Sequence, residues 1–282
     1  VNKENKEEGL LMKSQLLTDY LMLIEYADIA INANIGNEKA IKNYESAKTN
    51  IQKNFNKIAN CEEMVDVLQS RIDANPEDID LKRKVLSLLV NRDCTENDLF
   101  LPVATAVYEF EPSHEAAFAI GMGYAKQSQL SESFKYMEEA VSRCDSCPNQ
   151  MAYLLKTGQI ASALKRYGTA KRYANQVIAI DPNNADAYML IGDAIAGASS
   201  ACNDGALGKS AVYWVAHDYY ARAKRMNPAL ATKANKKMST MAVRFPTIEE
   251  VFTLGLQAGT SFTVKQVSGC PCSGMTTEIR VR

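Results

Sequence analysis

The chain has 282 residues, with 32 Lys and Arg against 33 Asp and Glu, so its net charge at neutral pH is −1. This balance argues against a nucleic-acid-binding protein, because contacts to phosphates need a basic face. Hydrophobic residues make up 46% of the chain, which is enough for a sizeable core. No apolar run approaches the roughly 18 residues that a membrane-spanning helix needs, so we expect a globular protein that is not integral to a membrane.

Two features of the sequence concern its compartment. The chain begins with Val1 rather than Met, which indicates either a processed or a trimmed chain, and removal of a secretory signal would fit this start. It also contains seven cysteines, more than a cytosolic helical protein needs. We therefore expect a periplasmic or cell-surface protein. The odd count leaves at least one thiol outside intramolecular disulfides.

Residues 1–59 carry the first two predicted helices. The stretch from Leu10 to Ile31 is strongly apolar with helical spacing, and apolar residues from Ile41 to Ile58 follow at steps of three, four and seven. The turn-forming sequence Asn-Ile-Gly-Asn at 34–37 separates them. We expect this pair to be an irregular first unit of the fold.

Five prolines then recur at nearly constant intervals, each after a segment with helical periodicity. The intervals are 36, 36, 34 and 46 residues, and the prolines are Pro76, Pro112, Pro148, Pro182 and Pro228. Proline cannot continue a helix and biases the preceding residue away from the helical conformation, so each proline predicts a helix end. A period near 34 with two helices per unit is typical of an α-solenoid.

The segment from Ala185 to Ala196 (ADAYMLIGDAIA) resembles the first helix of a tetratricopeptide repeat (TPR), which carries a large residue, Leu-Gly and a second large residue. These positions are taken by Tyr188, Ile191, Gly192 and Ile195, and in the preceding matching unit by Ala117, Ile120, Gly121 and Tyr124. A glycine suits this position because two closely crossing helices leave no room for a Cβ atom. The resemblance covers roughly residues 60–228 and implies an all-α protein, an α-α superhelix (TPR-like solenoid). We place the array at 60–246.

The last interval is longer because of an insert, which we place at residues 197–210 and which consists mainly of small and turn-forming residues. It either connects two helices or docks on the C-terminal segment. Residues 247–282 are predicted to form a short helix, capped by Thr247, and a β-hairpin after Thr260, since the apolar period there changes to two. Trp214 is expected to cover the insert or this hairpin. Repeats, insert and hairpin together resemble exported TPR proteins of Bacteroides-type bacteria.

The resemblance implies a non-catalytic scaffold of the cell envelope that binds a partner peptide or protein in a concave groove formed by the first helices. By repeat register, the groove is lined by Phe118, Met122, Lys126, Leu155, Gln159, Met189 and Asp193. The carboxylate clamp of the family needs Lys and Asn at set positions, and Lys126 alone matches, which argues against recognition of chaperone tails. Packing of the protein's own tails in the groove is an equal explanation. A cell-surface accessory protein that binds carbohydrate or peptide is a further alternative.

Other motifs were weighed as catalytic or metal sites, and none is favoured. Cys144 and Cys147 have the spacing of a redox dithiol or half a zinc site, so a thiol-dependent or metal-binding periplasmic protein is the alternative from another class. The segment Gly205–Ser210 ends like a phosphate-binding loop, but the motif would need Gly at position 203, which is Asn. His114 and His217 have no visible nucleophile partner. We expect no cofactor, no metal and no enzymatic activity.

Cys61 and Cys94 are predicted to form a disulfide, because both lie at turns that stack along one edge of a helix-pair solenoid. Two reduced cysteines in a cytosolic protein are the competing interpretation. The sequence does not determine how the remaining five pair: Cys144, Cys147, Cys202, Cys270 and Cys272.

Overall fold

A computed structural model describes residues 13–55, 60–202, 207 and 210–282. In this part of the chain, regular structure consists of thirteen α-helices, two 3₁₀ turns and two short strands, which confirms the predicted all-α class. The chain divides into two compact units, Val1–Glu111 and Pro112–Arg282. Glu111 is extended, as expected for a residue before proline. The division at Glu111 was not one of the domain limits predicted from the sequence, and those limits stay predictions.

The first unit contains five described helices: α1 (Lys13–Ala33), α2 (Glu38–Phe55), α3 (Cys61–Ala74), α4 (Ile79–Asn91) and α5 (Phe100–Phe110). The rings of Tyr20 and Phe55 stack with centroids 3.9 Å apart and join α1 to α2. A capping box begins α3, in which the Asn60 side chain accepts a hydrogen bond from the Glu63 amide at 2.9 Å. Ile58, the last predicted residue of the second helix, lies outside the described residues.

The second unit alternates first and second helices of successive pairs and ends in a short helix. These are α6 (His114–Lys126), α7 (Leu130–Arg143), α8 (Gln150–Ala163), α9 (Tyr167–Ile180), α10 (Ala185–Gly197), α11 (Ser210–Met226), α12 (Ala231–Ala242) and α13 (Ile248–Thr253). Thr247 caps α13 through a capping box with Glu250, as the sequence predicted for the cap. None of the described helices is both long and apolar enough to cross a membrane.

The prolines end helices where the sequence indicated. Pro76, Pro112, Pro182 and Pro228 each lie two residues after the last residue of a helix. Pro148 instead follows the end of α7 at Arg143 by five residues, because Cys144–Cys147 intervenes. The repeat period therefore corresponds to a physical unit, a pair of helices terminated by a residue that cannot continue the second one.

Glycines stand where first helices cross their neighbours. A Cβ atom added at Gly121 would lie 2.6 Å from Met137 Cγ, and one added at Gly192 would lie 2.5 Å from Tyr220 Cε1. Both positions are the glycines of the repeat resemblance. A Cβ atom added at a third glycine, Gly158, would lie 2.7 Å from Leu190 Cδ2. Gly158 follows Thr157 instead of a large residue, so the repeat motif does not identify it. The close crossings explain the need for glycine.

The two strands, β1 (Ser261–Thr263) and β2 (Thr276–Glu278), form an antiparallel pair in which Phe262 faces Thr277. The fully buried Trp214 packs on this hairpin: its Nε1 donates a hydrogen bond to the Arg280 carbonyl at 2.9 Å. Its ring also meets Phe262 edge-on, with centroids 5.7 Å apart. Trp214 therefore fixes the hairpin to α11, as expected from the sequence.

The insert also contacts the C-terminal segment. Its described part contains a 3₁₀ turn (Ser199–Ala201) followed by Cys202, which is bonded to Cys270 in the loop between the strands. Of the two possibilities left by the sequence, the structure has the docked one. Of the phosphate-loop-like segment Gly205–Ser210, residues 205, 206, 208 and 209 lie outside the described residues.

Candidate functional site

The first helices of the second unit, α6, α8, α10 and α12, lie side by side, and we call their shared surface the first-helix face. Phe118 of α6 stacks on Tyr153 of α8, with ring centroids 4.3 Å apart. The face continues to α10 through the close approach of Gly158 and Leu190. Lys237 of α12 then forms an ion pair with Asp193 of α10, with 2.6 Å between Nζ and Oδ1. This face carries the residues predicted to line a groove.

The five predicted groove residues of α6 and α8 retain accessible surface. Phe118, Met122 and Leu155 are half-buried, whereas Lys126 and Gln159 are exposed. They occupy α6 and α8, as the repeat register required. A role for them in binding a partner stays a prediction.

The predicted position of Met189 in the groove lining is wrong, because its side chain is only 3% exposed and belongs to the core. The reason lies in α10, whose residues from Ala187 to Gly192 are all buried, since α8, α9 and α11 pack around it. A helix that is apolar around its circumference is an interior helix, so a register inferred from more peripheral first helices fails there. Asp193, the other predicted residue of α10, keeps partial exposure.

Asp193 lies at a depression of about 560 Å³ between α10 and α12, which we call the Asp193 depression. Its walls combine aromatic rings, small residues and three lysines: Ser162, Tyr167, Asp193, Ala196, Gly197, Tyr220, Lys233, Lys236, Lys237, Thr240 and Met241. The Tyr167 ring is accommodated by Gly197, where an added Cβ atom would lie 2.4 Å from Tyr167 Cε1. The volume is within the range of pockets that bind small ligands or side chains.

Asp193 is held in place by two hydrogen bonds. It accepts one from the Tyr220 hydroxyl at 2.7 Å and one from Lys237 Nζ at 2.6 Å. Burial and the neighbouring Asp193 carboxylate raise the pKa of Tyr220, so this hydroxyl remains a donor at neutral pH. Because Asp193 balances Lys237, the exposed Lys233 and Lys236 supply the net charge, and neither forms an ion pair with a described residue.

The three lysines of the Asp193 depression are not among the residues predicted from the sequence, although their spacing is a signal. Lys233, Lys236 and Lys237 are spaced i, i+3, i+4, which places their side chains on one side of a helix. The segment was interpreted only as one more helix after the last repeat. Recognising it as the next first helix would have placed these lysines beside the α10 position of Asp193.

A larger depression, of about 610 Å³, lies in the first unit between α1, α2 and α4, and three of its four cationic side chains are paired with carboxylates. The fourth, Arg92, lies over the Phe55 ring. Lys48 pairs with Asp28 at 2.5 Å, and Lys84 pairs with Glu25 at 2.8 Å. Arg83, which also lines it, pairs with Glu111. We therefore regard the smaller Asp193 depression as the stronger candidate for recognition of a charged group.

Three disulfides join cysteines of the described residues. Cys61 and Cys94 are joined with a Cα separation of 5.5 Å, the pairing that the sequence analysis predicted. Cys144 and Cys147 are joined to each other. Cys144 is 3% exposed and follows the carboxyl end of α7, where the helix dipole disfavours a thiolate. Within the described residues, this pair belongs to no group of three or more His, Cys, Asp or Glu that could hold a metal.

The two histidines have packing neighbours. His114 Nδ1 lies 3.3 Å from the Tyr153 hydroxyl. The ring of His217 meets Phe245 at a centroid distance of 5.8 Å, and its buried Nδ1 has no hydrogen-bond partner among the described residues. Burial, and next the positive charge of Arg280, lower the pKa of His217. Neither histidine lies among the residues of the Asp193 depression.

No model of a known protein family matches the sequence, and no curated protein matches it. Solved structures of MamA resemble part of the chain. One, described as the crystal structure of MamA, has a TM-score of 0.48 and 14% identity, and covers 66% of this chain and 96% of that one. A second MamA crystal structure has a TM-score of 0.47 and 15% identity, covering 61% and 85%. The MamA RS-1 ArsTM double mutant has a TM-score of 0.47 and 18% identity, covering 60% and 85%. Similarity at this level carries no information about activity or partners.

Proposed function

We propose that this protein is a non-catalytic protein–protein interaction scaffold of the cell envelope and that its first-helix face binds an acidic segment of a partner protein. The Asp193 depression is the proposed contact point. Arrays of helix pairs present long continuous surfaces built from equivalent positions of successive units, which suits binding of an extended chain. No catalytic step is part of the proposal.

The observation that carries the proposal is the unbalanced charge of Lys233 and Lys236 beside a depression with aromatic walls. Both ammonium groups are exposed, and Asp193 is already engaged by Lys237 and Tyr220. A partner carboxylate would pair with the two lysines, while an adjacent apolar side chain would enter the depression against Tyr167 and Tyr220. Complementary charge of this kind raises association rates and excludes basic partners.

The envelope location is supported by the cysteines. Disulfides persist in oxidising compartments and are rare in the cytosol of mesophilic organisms. The three pairs in the structure include one that joins residues 33 positions apart. Cell fractionation combined with thiol alkylation of the native protein tests the location, since a cytosolic protein with seven alkylated cysteines would contradict it.

Binding of defined acidic peptides tests the partner chemistry. Lys233→Glu/Lys236→Glu should weaken binding of a fluorescent Glu- and Leu-containing peptide by roughly tenfold or more, equivalent to about 1.4 kcal/mol. The matched control is Lys39→Glu/Lys42→Glu, which reverses two exposed lysines at the same spacing on α2. Equal binding by both variants, or equal binding of a Lys- and Leu-containing peptide, would contradict the proposal.

Site-specific cross-linking in cells tests whether a partner occupies this surface. A photoreactive side chain at Thr240, which lines the depression, should capture a discrete partner. The same group at Thr232, exposed on α12 but outside the depression, is the control. The proposal requires that the captured product depend on position 240 and disappear when Lys233 and Lys236 are reversed.

A further inference from the structure

Three cysteine sulfurs meet where the insert contacts the hairpin loop. Cys202 follows the 3₁₀ turn after α10, whereas Cys270 and Cys272 lie between β1 and β2. Their Sγ atoms are all within 4.8 Å of one another, with Cys272 Sγ 3.4 Å from that of Cys270 and 4.0 Å from that of Cys202. Cys202 and Cys270 share a disulfide. Cys270 and Cys272 are 68 and 70 positions after Cys202 in the sequence, so the fold places three soft ligand atoms from distant segments in one cluster.

The cluster is enclosed by protein. Cys202 and Cys272 are 0% exposed, and Cys270 is 8% exposed. Within the described residues, the group contains three sulfurs and no carboxylate or imidazole. Such an all-sulfur set excludes hard cations such as Mg²⁺ and Ca²⁺, which prefer oxygen, and selects thiophilic ones.

The loop that supplies two of the sulfurs is held by its own hydrogen bonds. The Ser273 amide donates to the Cys270 carbonyl at 3.2 Å, and the Met275 amide donates to the Cys272 carbonyl at 3.0 Å. Pro271 between the two cysteines restricts the backbone further. A Cys-Pro-Cys segment fixed in this way presents both sulfurs on the same side without an additional ordering cost on binding.

A cation lies beside the sulfurs. Lys171 of α9 donates a hydrogen bond from Nζ to the Pro271 carbonyl at 2.5 Å and interacts electrostatically with Cys272. Lys171 would offset part of the negative charge that three metal-bound sulfurs bring into a buried site.

We propose that, in its reduced state, the protein binds one thiophilic d¹⁰ cation, Cu⁺ or Zn²⁺, through Cys202, Cys270 and Cys272. Three sulfur ligands suffice for Cu⁺, whereas Zn²⁺ would add a water as the fourth ligand, since it is almost always four-coordinate. The site goes beyond the proposed scaffold function and would tie the insert to the hairpin by metal coordination instead of by the disulfide.

The reduced state forms by thiol–disulfide exchange. A dithiol reductant breaks the Cys202–Cys270 bond: two electrons and two protons pass to the protein sulfurs, and the dithiol closes to its own disulfide. Binding of the cation then replaces up to three thiol protons, which are released to solvent. The metal keeps its oxidation state throughout.

Metal titration of the full chain tests the proposal. The protein is reduced with a dithiol, the dithiol is removed anaerobically, seven thiols are counted, and Zn²⁺ or Cu⁺ is added in the presence of a competing chromophoric chelator. Native mass spectrometry should find one cation per wild-type chain and none on Cys202→Ser or Cys272→Ser. Cys144→Ser/Cys147→Ser should still bind one.

Several outcomes would overturn the site. The proposal is wrong if the reduced wild-type chain binds neither ion. It is also wrong if a Cys272→Ser chain binds as much metal as the wild type. Reduction that unfolds the chain, as judged by circular dichroism, with no refolding on addition of metal also overturns it. X-ray absorption of the loaded protein separates the two cations and counts ligands, and fewer than three sulfurs would contradict the assignment.

Discussion

The two compact units stabilise helix packing by different means. In the first unit, α1 leaves large apolar side chains exposed, including Tyr26 at 63% and Ile29 at 57%, and its described residues contain no glycine at a helix crossing. In the second unit, Gly121, Gly158 and Gly192 allow close crossings. The first unit is cross-linked by the disulfide between Cys61 and Cys94. In the second unit side chains interdigitate at these crossings, and two further disulfides join Cys144 to Cys147 and Cys202 to Cys270.

This difference shows which sequence signals carry structural information. Small residues at crossing points form a recurrent pattern, because every helix pair of the second unit meets the same steric requirement. A disulfide and surface ion pairs satisfy no periodic requirement, so they add no repeat signal to the first unit, where the repeat is marked by the helix-ending Pro76. The comparison predicts that buried contacts dominate stability in the second unit and that the covalent link dominates in the first.

The largest expected effect follows from removal of Trp214. Trp214→Ala should lower the free energy of unfolding by about 3–5 kcal/mol, because the fully buried ring and its hydrogen bond to Arg280 are lost. Denaturant unfolding followed by circular dichroism measures this change. Phe252→Ala, at a side chain that is 81% exposed, is the control and should change stability by less than about 0.5 kcal/mol. Similar losses in both variants would mean that the hairpin is not packed on α11.

The next effect concerns the covalent link of the first unit. Cys61→Ala/Cys94→Ala should lower stability by roughly 3–4 kcal/mol, because the bond closes a loop with a sequence separation of 33. Cys144→Ala/Cys147→Ala is the matched control: its separation is 3, so less chain entropy is restricted in the unfolded state. Denaturant unfolding of both variants measures the difference. Mass mapping of a non-reduced digest of the wild type should recover the 61–94 pair, and free thiols at both positions would contradict the link.

A crossing glycine of the second unit gives a smaller effect. Gly192→Ala should cost about 1–3 kcal/mol, since the new methyl group would overlap the ring of Tyr220. Gly168→Ala is the control in the same unit, because nothing lies within 4 Å of the added atom on α9. There the better helix propensity of alanine should leave stability equal or raised by up to about 1 kcal/mol. Thermal unfolding of the two variants side by side distinguishes these outcomes, and equal losses would contradict the close crossing.

The smallest effect is a pH dependence at His217. Burial lowers the pKa of this imidazole below its ordinary value of 6.5, so the folded protein favours the neutral ring. The unfolded state therefore takes up the proton first, and the stability due to this residue is complete above pH 6.5 and declines as the pH falls through the folded-state value. The free energy of unfolding of the wild type, minus that of His217→Gln, should decrease between pH 7.5 and pH 5. A difference that stays constant over this pH range would contradict the predicted contribution of His217.

Much of the fold could be predicted because single residues decide it locally. Proline positions marked helix ends, Thr247 marked a cap, and the change of apolar period marked the hairpin after Thr260. Each of these depends on the backbone conformation of one short segment. The Cys61–Cys94 pairing followed from the regular stacking of turns.

The candidate functional site was less predictable, because the exposure of its residues depends on how many neighbouring helices pack around each first helix. Met189 and Phe118 have equivalent register positions, but α10 is surrounded and α6 is more peripheral, so only Met189 is buried. The role of Lys233 and Lys236 required knowing that α12 continues the row of first helices. The meeting of Cys202 with Cys270 and Cys272 depended on an insert whose docking no local pattern encodes.

The crossing glycines have a consequence for how such a sequence can diverge. Gly121 with Met137, and Gly192 with Tyr220, are each one steric unit spread over two positions, because the space lacking at one is occupied by the other. Substitution at either partner is constrained by the other, so related chains should exchange Gly-large for Ala-smaller pairs jointly. At Gly192 the three nearest atoms all belong to the Tyr220 ring, whose hydroxyl is bonded to Asp193. At Gly121 the Met137 amide nitrogen and the Ser133 carbonyl also lie 3.2 Å from the added atom, so a smaller side chain at position 137 would not relieve all of the crowding. The 192–220 pair should therefore covary more strictly than the 121–137 pair.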